Sequence, residues 1–549
     1  MLKRLCLIVF LGSCANAQIS SFPKPSYFRE VFARPRIHVE LNPPVKIADF
    51  VAGGRIGLSL HQFLDLVMAN NTDVQLQLIS LEIPRYNILS AYGPWDPVAQ
   101  ASFSATRSTS LPTSAVQAQK TADTSKSLYQ PYSLQYSQTL PEGASYYVNF
   151  SGAKSSATNS FASYNPSLTA ALAFGVSQPL IRNRGSYVNR IPLMIAQSNF
   201  KVSDSNFRVQ LINLINNAEN YYWSVVLARE NLKVQQKARD TAAEYLKYME
   251  KQLELGAISP LDIYNPQQSL AADDLSVSQA RFSLIQAEDA LRHQIGVDLD
   301  PRLRILPLEL TESADLGPAE SIRVDTEEEV AKALRINPAM KAALQKLDVD
   351  DLRIQQSKNN LLPNLMFNAG YTSNGLGGIF YPADSTLFGG TSLVTSVPGG
   401  ISDALSEMFR FGYPTYSAGL TLTLPIRSRT AAAAMGSALV QKKMDALNLR
   451  NQEQAVRLNI LNAVSSLEGA KEQLNLARIQ REFAQKNLDA ENQKYQLGSE
   501  TNQNVINAQQ ALVQADSAVV ANQIGVRRSL LNLLTQTGEL LDERGIIVK

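Results

Sequence analysis

Side chains that commonly carry out catalysis or bind metals are few and scattered in this chain of 549 residues. The three histidines, His38, His61 and His293, lie far apart, and neither an HExxH nor a GxSxG motif occurs. Three consecutive glutamates at 327–329 are typical of the first turn of a helix, where the helix dipole favours carboxylates. The sequence therefore predicts a protein that is not an enzyme and needs no cofactor or metal ion.

The only cysteines, Cys6 and Cys14, both lie near the N-terminus. A basic start, an apolar run and the small-residue motif Ala15-Asn16-Ala17 predict a secretory signal peptide at 1–17. We favour cleavage after Ala17, because this motif lies at the right distance from the apolar run. The alternative is cleavage before Cys14, whose thiol would then carry a lipid.

Charge and hydropathy limit the partners of the chain. It has 51 Lys and Arg against 49 Asp and Glu, so nucleic acid is not a predicted partner. Beyond residue 18 no run of about 18 apolar residues occurs, so no membrane helix is expected. If the exported chain enters a membrane, it does so through strands.

Two copies of one helical turn could position an exposed functional surface. In Asp489–Leu512 a helical pattern breaks at Gly498 and restarts after 499–502, where Ser, Thr and Asn favour a new helix start. The same pattern occurs around Gly256, and a shift of 242 positions aligns the two copies without a gap. Each copy predicts two antiparallel helices joined by an exposed tip.

This duplication organises the whole chain. A shift of 266 places Pro97 on Pro363, each before an extended segment, and helix-starting capping boxes are predicted at Ser59 and Thr326. The predicted boundaries are a signal peptide at 1–17, an extended N-terminal arm at 18–57, repeat 1 at 58–299, a linker at 300–323, repeat 2 at 324–541 and a C-terminal tail at 542–549.

The extended segments change the apolar period from 3.6 to 2. Apolar residues alternate with small or polar ones at 168–177 and 416–424, which is the pattern of a membrane β-barrel with lipid on one side and a lumen on the other. A strand in a soluble sandwich would alternate in the same way. A further hairpin near 129–154 could join this sheet or stand above it, and the spans 107–126 and 373–414 are expected to be long loops.

Long helices follow the strands in both copies. From Pro425 to Leu497, and again in the first copy, apolar residues and alanines recur every seven positions, which predicts coiled-coil packing. Seventy residues at ~1.5 Å each give a helix of about 100 Å. Arg239 and Arg481 interrupt the two seams at matching positions, where each guanidinium either faces a channel interior or extends along the helix surface to solvent.

Together these features resemble the TolC family of outer-membrane efflux proteins over roughly Leu58–Leu540. The most specific matches are 495–498, followed by 505–509, and the earlier Leu-Gly pair at 255–256. The resemblance implies a mixed α and β fold. In that fold a trimeric transmembrane β-barrel continues into a long α-helical coiled-coil tunnel in the periplasm, and each subunit is built from two internal repeats.

The same resemblance implies the outer membrane of a bacterial cell, spanning into the periplasm, as the location. The protein would be a homotrimer in outer-membrane lipid, and the channel of a tripartite efflux or type I secretion system. A periplasmic adaptor (membrane fusion) protein and an inner-membrane pump or ABC exporter would be its partners. The tips at Leu255, Gly256, Leu497 and Gly498 would dock the adaptor.

Family tunnels close near the tip through rings of acidic side chains, and here those positions are Asn504 and Asn507. This difference weakens the case for an acidic, cation-binding gate. Tyr495 matches a family tyrosine in the closing contacts, and Asp262 and Glu500 complete the predicted gate. Asp262 has an alternative role, because a carboxylate at this position also stabilises the start of a helix.

A different class of function fits the heptads equally well. A secreted trimeric coiled-coil adhesin or scaffold would use long helices without conducting anything. Such a protein would need neither two copies of barrel-type strands between long helices nor paired Leu-Gly tips.

Overall fold

The computed structural model describes residues 51–52, 55–111, 124–158, 163–296, 306–315, 323–381 and 396–546. The predicted signal peptide, Cys14 and most of the N-terminal arm lie outside the described residues. Parts of the predicted linker and the last three residues of the tail lie outside them as well.

Repeat 1 runs from short helices through a block of strands into two long helices. The strands β1 (Val51–Ala52) and β2 (Arg55–Leu58) precede it, at the end of the predicted arm. Its further elements are α1 (Leu60–Asn70), α2 (Thr72–Ser80), α3 (Glu82–Ser90), β3 (Val98–Phe103), β4 (Thr106–Ser110), β5 (Ser125–Thr139), β6 (Ser145–Ala157), β7 (Tyr164–Pro179), α4 (Ser186–Glu254) and α5 (Tyr264–Gln294).

Repeat 2 follows the same order with fewer strands. Strand β8 (Leu308–Leu310) precedes it, inside the predicted linker. The further elements are α6 (Thr326–Ile336), α7 (Pro338–Asn360), β9 (Asn364–Phe380), α8 (Ile401–Arg410), β10 (Tyr413–Thr423), α9 (Arg429–Gln496), α10 (Asn502–Thr537) and α11 (Leu540–Glu543).

The helix starts show one confirmed and one wrong prediction. Ser59 and Gln62 form the predicted capping box, each side chain accepting the other residue's backbone N–H. In repeat 2 the cap is Asp325 rather than Thr326, because the Asp325 carboxylate accepts the N–H of Glu327 at 3.0 Å and starts the helix one residue earlier. The Asp325 carboxylate, not the Thr326 hydroxyl, therefore caps this helix. The spacing of residues in the sequence did not distinguish the two.

Strands β3 to β7, β9 and β10 form one antiparallel sheet in the order β10-β9-β7-β6-β5-β3, with β4 also paired to β5. The hairpin of undecided position, β5–β6, is therefore part of this sheet. Both expected long loops are shorter than predicted. In the span 373–414, β9 continues to Phe380 and an extra helix, α8, follows. In the span 107–126, β4 occupies the first residues.

The sheet has two chemically different faces. In an antiparallel sheet, directly opposite residues point to the same side, so the strand registers assign each residue to a face. The face that we call the apolar face includes Leu134, Phe150, Leu172, Phe367 and Leu420. The polar face includes Gln135, Asn149, Ser151, Thr372 and Ser417.

Helix α8 packs on part of the apolar face. Its Ala404 and Met408 are buried against Ala170. A side chain at Gly375 would collide with the Ala404 carbonyl, so glycine there permits the close approach of helix and strand. The Ser373 hydroxyl donates to the Met408 carbonyl at 2.6 Å and fastens the end of the helix.

Each repeat ends in a hairpin of long helices, α4 with α5 and α9 with α10. Apolar seam residues lie buried between helices, including Leu211, Ala218 and Val225 in repeat 1 and Val456, Ile460 and Leu467 in repeat 2. With 69 residues, α4 is about 100 Å long. None of the helices within the described ranges has the length and apolar character needed to cross a membrane.

The two seam arginines make ion pairs with the returning helices. Arg239 Nε lies 3.0 Å from Asp274 Oδ1, and Arg481 pairs with Asp516 in the same way. The shift of 242 that relates the arginines also relates the aspartates. The duplicated hairpin therefore brings each aspartate to its arginine, and the Asp274 side chain stays exposed to solvent in this pair.

A small second sheet joins the two repeats. Strand β2, at the end of the predicted arm, pairs in parallel with β8, inside the predicted linker. Ile56 and Leu58 from β2 are buried with Leu308 and Leu310 from β8 in the main core, against α1 and α4. Within the described part of the linker, β8 is thus a packed strand.

A buried ion pair holds the chain end on α4. Glu219, 1% exposed, accepts from Arg544 Nε at 2.9 Å, from the terminal guanidinium nitrogen at 2.7 Å and from the Trp223 indole N–H at 3.1 Å. The beginning of the predicted C-terminal tail is therefore part of the folded core.

We expect Arg544→Ala to lower the stability of the fold by about 2–4 kcal/mol, because it leaves the buried Glu219 carboxylate without its cation. The apparent Tm from circular dichroism at the helical band would show the loss. Lys486→Ala is the control, since its ion pair with Glu482 is exposed and should contribute little. Equal Tm values for both variants would contradict this role of Arg544.

Candidate functional site

The tips of both long hairpins have the same backbone geometry. Gly256 and Gly498 adopt φ values of +70° and +73°, which favour glycine. The Gly256 N–H donates to the Leu253 carbonyl and the next N–H donates to Gln252; Gly498 and Ser499 make the equivalent bonds. This paired arrangement ends a helix with its last carbonyls satisfied.

The residues before these glycines protrude into solvent. Leu255 is 80% exposed and Leu497 is 83% exposed. A side chain added at either glycine would meet no atom within 4 Å. Each tip therefore presents an apolar side chain that its own chain does not cover. The first tip also exposes Leu261 and Tyr264, two side chains that were not among the predicted docking residues.

The first tip is longer than the second. Helix α10 begins at Asn502, whereas α5 begins only at Tyr264, four positions later by the 242 shift. In the turn between α4 and α5, the Asp262 carboxylate accepts the Ser259 N–H at 3.1 Å, and Ser259 Oγ accepts the Leu261 N–H at 3.3 Å. Asp262 thus shapes the turn that precedes the helix and does not lie in the helix's first turn, where the helix-start interpretation placed it. Its side chain remains exposed.

Tyr495 lies in a cluster of aromatic and apolar side chains just above the tips. Its hydroxyl donates to Met249 Sδ at 3.2 Å, and its ring packs edge-on against Tyr245. Burial and the nearby Tyr248 raise the pKa of Tyr495 above its usual value. This cluster joins the first hairpin to the second. Tyr245 and Met249 were missed as site residues, although they are four positions apart and thus share one face of α4.

The two gate asparagines and Glu500 form local contacts. Asn504 donates to the Glu500 carboxylate, and Asn507 accepts from the Gln503 amide at 2.9 Å. The contact between the two tips comes instead from Asn502, which is buried and donates to the Asp262 carbonyl at 2.9 Å. Asn502 was also missed, because a helix-start asparagine looks like a cap in sequence.

A second group of titratable residues lies far from the tips, between α7 and α9. Asp350 is 1% exposed and faces Asp445, which is also buried. Asp445 has an ion pair with Lys346 at 3.1 Å and an amide donor from Gln441 at 2.9 Å. Neither carboxylate oxygen of Asp350 has a hydrogen-bond donor in the described part of the chain, and Arg353 is 3.9 Å away.

These surroundings separate the two carboxyl groups in acidity. Burial and the facing Asp445 carboxylate raise the pKa of Asp350 to about 6. Burial would also raise the pKa of Asp445, but hydrogen bonds from Gln441 and Lys346 outweigh it and lower that pKa. Below about pH 6 the pair therefore holds one proton on Asp350, which can donate to Asp445.

Comparison with known protein families identifies the family to which this chain belongs. The sequence profile of the outer membrane efflux protein family matches residues 64–297 and 330–539, which are the helices, strands and hairpins of both repeats. The chain belongs to the outer membrane efflux protein family. The predicted resemblance to TolC-like channels is thereby confirmed.

Solved structures of efflux channels share this fold. CusC matches with a TM-score of 0.59 at 12% identity, covering 92% of this chain and 99% of that one. The CmeC outer membrane channel of Campylobacter jejuni gives 0.57 at 16%, covering 95% and 94%, and the open state of the Neisseria gonorrhoeae MtrE outer membrane channel gives 0.57 at 15%, covering 88% and 89%. No curated protein sequence matches the chain.

Family membership answers the broad question of function. Proteins of this family are outer-membrane efflux channels of tripartite systems that extend into the periplasm, and they are not enzymes. This efflux protein is therefore an outer-membrane channel, and the adhesin alternative is not supported.

The Asp350 carboxyl predicts a pH-dependent stability of this efflux protein. Its pKa is raised in the folded state, so its favourable contribution is present below about pH 4 and is lost as the pH rises through about 6. Asp350→Asn, which cannot ionise, should raise the free energy of unfolding at pH 7–8 by on the order of 1–3 kcal/mol, seen as a higher apparent Tm, and should have little effect at pH 4.

A thermal melting series from pH 4 to 8 checks this expectation. Asp351→Asn is the control, because Asp351 is exposed and pairs with Lys442, so its removal should give no gain at pH 8. Parallel Tm profiles for the wild type and Asp350→Asn would show that Asp350 does not titrate in this range.

Proposed function

We propose that three copies of this efflux protein close into a single conduit through the outer membrane and periplasm. The observation that carries the proposal is the open sheet, which has one apolar face and two edge strands, β3 and β10, without a partner strand among the described residues. Unpaired backbone groups cannot lie in lipid. Pairing the edges of neighbouring copies removes them, and the apolar face then lies against lipid.

The long helical hairpins supply the periplasmic part of the conduit. Each copy contributes α4, α5, α9 and α10, whose buried alanines permit close helix packing as in a coiled coil. The matching pairs Arg239–Asp274 and Arg481–Asp516 connect the outgoing and returning helices at the same distance from their tips. A wall built this way has two similar hairpins per subunit.

The tips are the proposed docking sites for a periplasmic adaptor protein, which links the channel to an inner-membrane pump or ABC exporter. Leu255 and Leu497 are exposed apolar side chains at the very end of the molecule, beside Gly256 and Gly498. Apolar side chains presented on well-ordered turns are suitable anchors for a partner surface.

The tip is also the proposed gate, with Asp262, Tyr495, Glu500, Asn504 and Asn507 as its residues. Because Asn504 and Asn507 are neutral, closure cannot rest on rings of carboxylates at those positions. The packing of Tyr495 supports closure by aromatic contact instead.

Reconstitution tests the conduit. Purified protein should run as a trimer after chemical cross-linking and should give discrete conductance steps in planar lipid bilayers. A stable trimer that carries no current, even with Tyr495 replaced, would favour a scaffold. A water-soluble monomer without affinity for lipid would overturn the proposal.

Gly498→Val should abolish export while trimers still assemble, because a β-branched residue is strained at positive φ and distorts the docking tip. Export of a reporter drug in cells and cross-linking of the same membranes measure the two properties. Gly469→Val is a matched control on an open, helical surface of α9, and it should export normally. Normal export by the Gly498 variant would count against docking at this tip.

Tyr495→Ala should raise the resting conductance severalfold, because it empties the cluster that joins the two hairpins near the gate. Tyr495→Phe retains the ring and loses only the hydroxyl contact to Met249, so it should stay close to the wild type. Single-channel recording compares the three proteins. Unchanged conductance of the alanine variant would remove Tyr495 from the gate.

A further inference from the structure

The sheet of this protein has more strands than the duplicated unit requires. Repeat 2 supplies two strands, β9 and β10, whereas repeat 1 supplies four to the path across the sheet, which runs β10, β9, β7, β6, β5 and β3. Strand β4 continues the line of β3 along β5 after a short break and adds no width. The additional pair is the hairpin β5–β6 in repeat 1.

This hairpin is built into the sheet along its full length. Strand β6 is paired with β7 from Ser145 to Ser155, and β5 lies between β6 and β3. The turn of the hairpin is also fastened at the helical end of the sheet, since the Gly185 N–H donates to the Glu142 carbonyl at 3.2 Å. The hairpin is thus held at its turn by the junction between β7 and α4.

The hairpin continues both faces of the sheet. Leu134, Val148 and Phe150 extend the apolar face, and Ser133, Asn149 and Ser151 extend the polar face. A hairpin standing in solvent above a membrane would have no need for an apolar row aligned with its neighbours. The alternation is the one expected for a wall between lipid and lumen.

From these observations we propose that the β5–β6 hairpin forms part of the barrel wall and widens the outer-membrane pore. The inference rests on the proposed closure of three copies. Six strands from each of three subunits give eighteen, and β3 of one copy meets β10 of the next. Barrel diameter grows roughly linearly with strand number, so the pore is about half as wide again as one built from four strands per copy.

The chemistry of the polar face indicates what this wide mouth would accept. At the paired positions of the described strands, that face carries hydroxyl, amide, glycine and alanine groups with a few larger side chains, and no Asp, Glu, Lys or Arg. Such a lumen hydrates polar cargo without selecting for charge. The pore mouth therefore suits bulky polar molecules of either sign.

Disulfide cross-linking tests which strands meet between copies. Apart from Cys6 and Cys14 the chain has no cysteine, so the parental protein serves as the blank. Ser102→Cys in β3, combined with Ser417→Cys or Thr421→Cys in β10, should give covalent dimers and trimers on oxidation. Ser151→Cys, in the middle of the sheet, combined with the same β10 changes should not.

Thiol accessibility tests whether the hairpin lines the pore. Ser151→Cys lies on the polar face and Phe150→Cys lies beside it on the apolar face. In planar bilayers, a membrane-impermeant anionic thiol reagent should make the Ser151→Cys channel more selective for cations, measured as a shift in its reversal potential. The same reagent should leave the Phe150→Cys channel unchanged. Equal reaction of both variants, or of neither, would place the hairpin outside the wall and overturn the proposal.

The outcomes separate this inference from the proposed function. If the wild-type protein forms conducting trimers but no β3–β10 combination cross-links, the widened barrel is wrong and the channel stands. If the wild-type protein forms neither trimers nor conductance steps, the proposed closure fails and the widened barrel fails with it.

Discussion

Backbone hydrogen bonding at the edges of one sheet constrains the rest of this molecule. Strands β3 and β10 each have one edge without a partner strand among the described residues, while one face of the sheet is apolar. Water could solvate such edges, but lipid cannot. A protein with this face in a membrane must therefore obtain its missing hydrogen bonds from another copy. Leu134 and Leu420 are exposed in the single chain because they lie on this apolar face, which the chain itself leaves partly uncovered.

Duplication explains how one subunit supplies both a strand block and long helical hairpins, the two parts of the proposed conduit. Strands β3 and β9 begin at positions related by the shift of 266, and the hairpin arginine and aspartate pairs are related by the shift of 242. The two repeats differ at their tips and in the elements added to the sheet. Repeat 1 has the longer tip and the additional strand hairpin, and repeat 2 has the short helix α8 on the apolar face. In the proposed conduit, the two equal hairpins build a regular wall, and the unequal additions modify its two ends.

Buried charge is handled in two ways within the helices. Glu219 and Arg544 neutralise each other and connect the chain end to α4, so the burial cost is offset by a well-formed pair of opposite charges. Asp350 and Asp445 are two facing carboxyl groups, and below about pH 6 Asp350 keeps its proton, so only one of them is charged. The first pair stabilises the fold at neutral pH, and the second becomes unfavourable as the pH rises.

The sequence by itself determined the class of fold and most of its elements. Heptads at 425–497, alternation at 168–177 and glycines at both tips depend on residues close together in the chain, and local periodicity reports them directly. For the same reason the exposed Leu255 and Leu497 could be selected in advance. The family resemblance rested on these same local patterns, so it too was available from the sequence.

Only the tertiary structure decided which residues meet across long distances. The Tyr495–Met249 contact, the Asn502–Asp262 bond and the Asp350–Asp445 pair each join helices far apart in sequence. The position of the β5–β6 hairpin was undecided for a related reason: its alternation is the same whether it pairs with β7 or stands alone. Strand partners are set by register and packing between segments, and no periodicity within one segment contains that information.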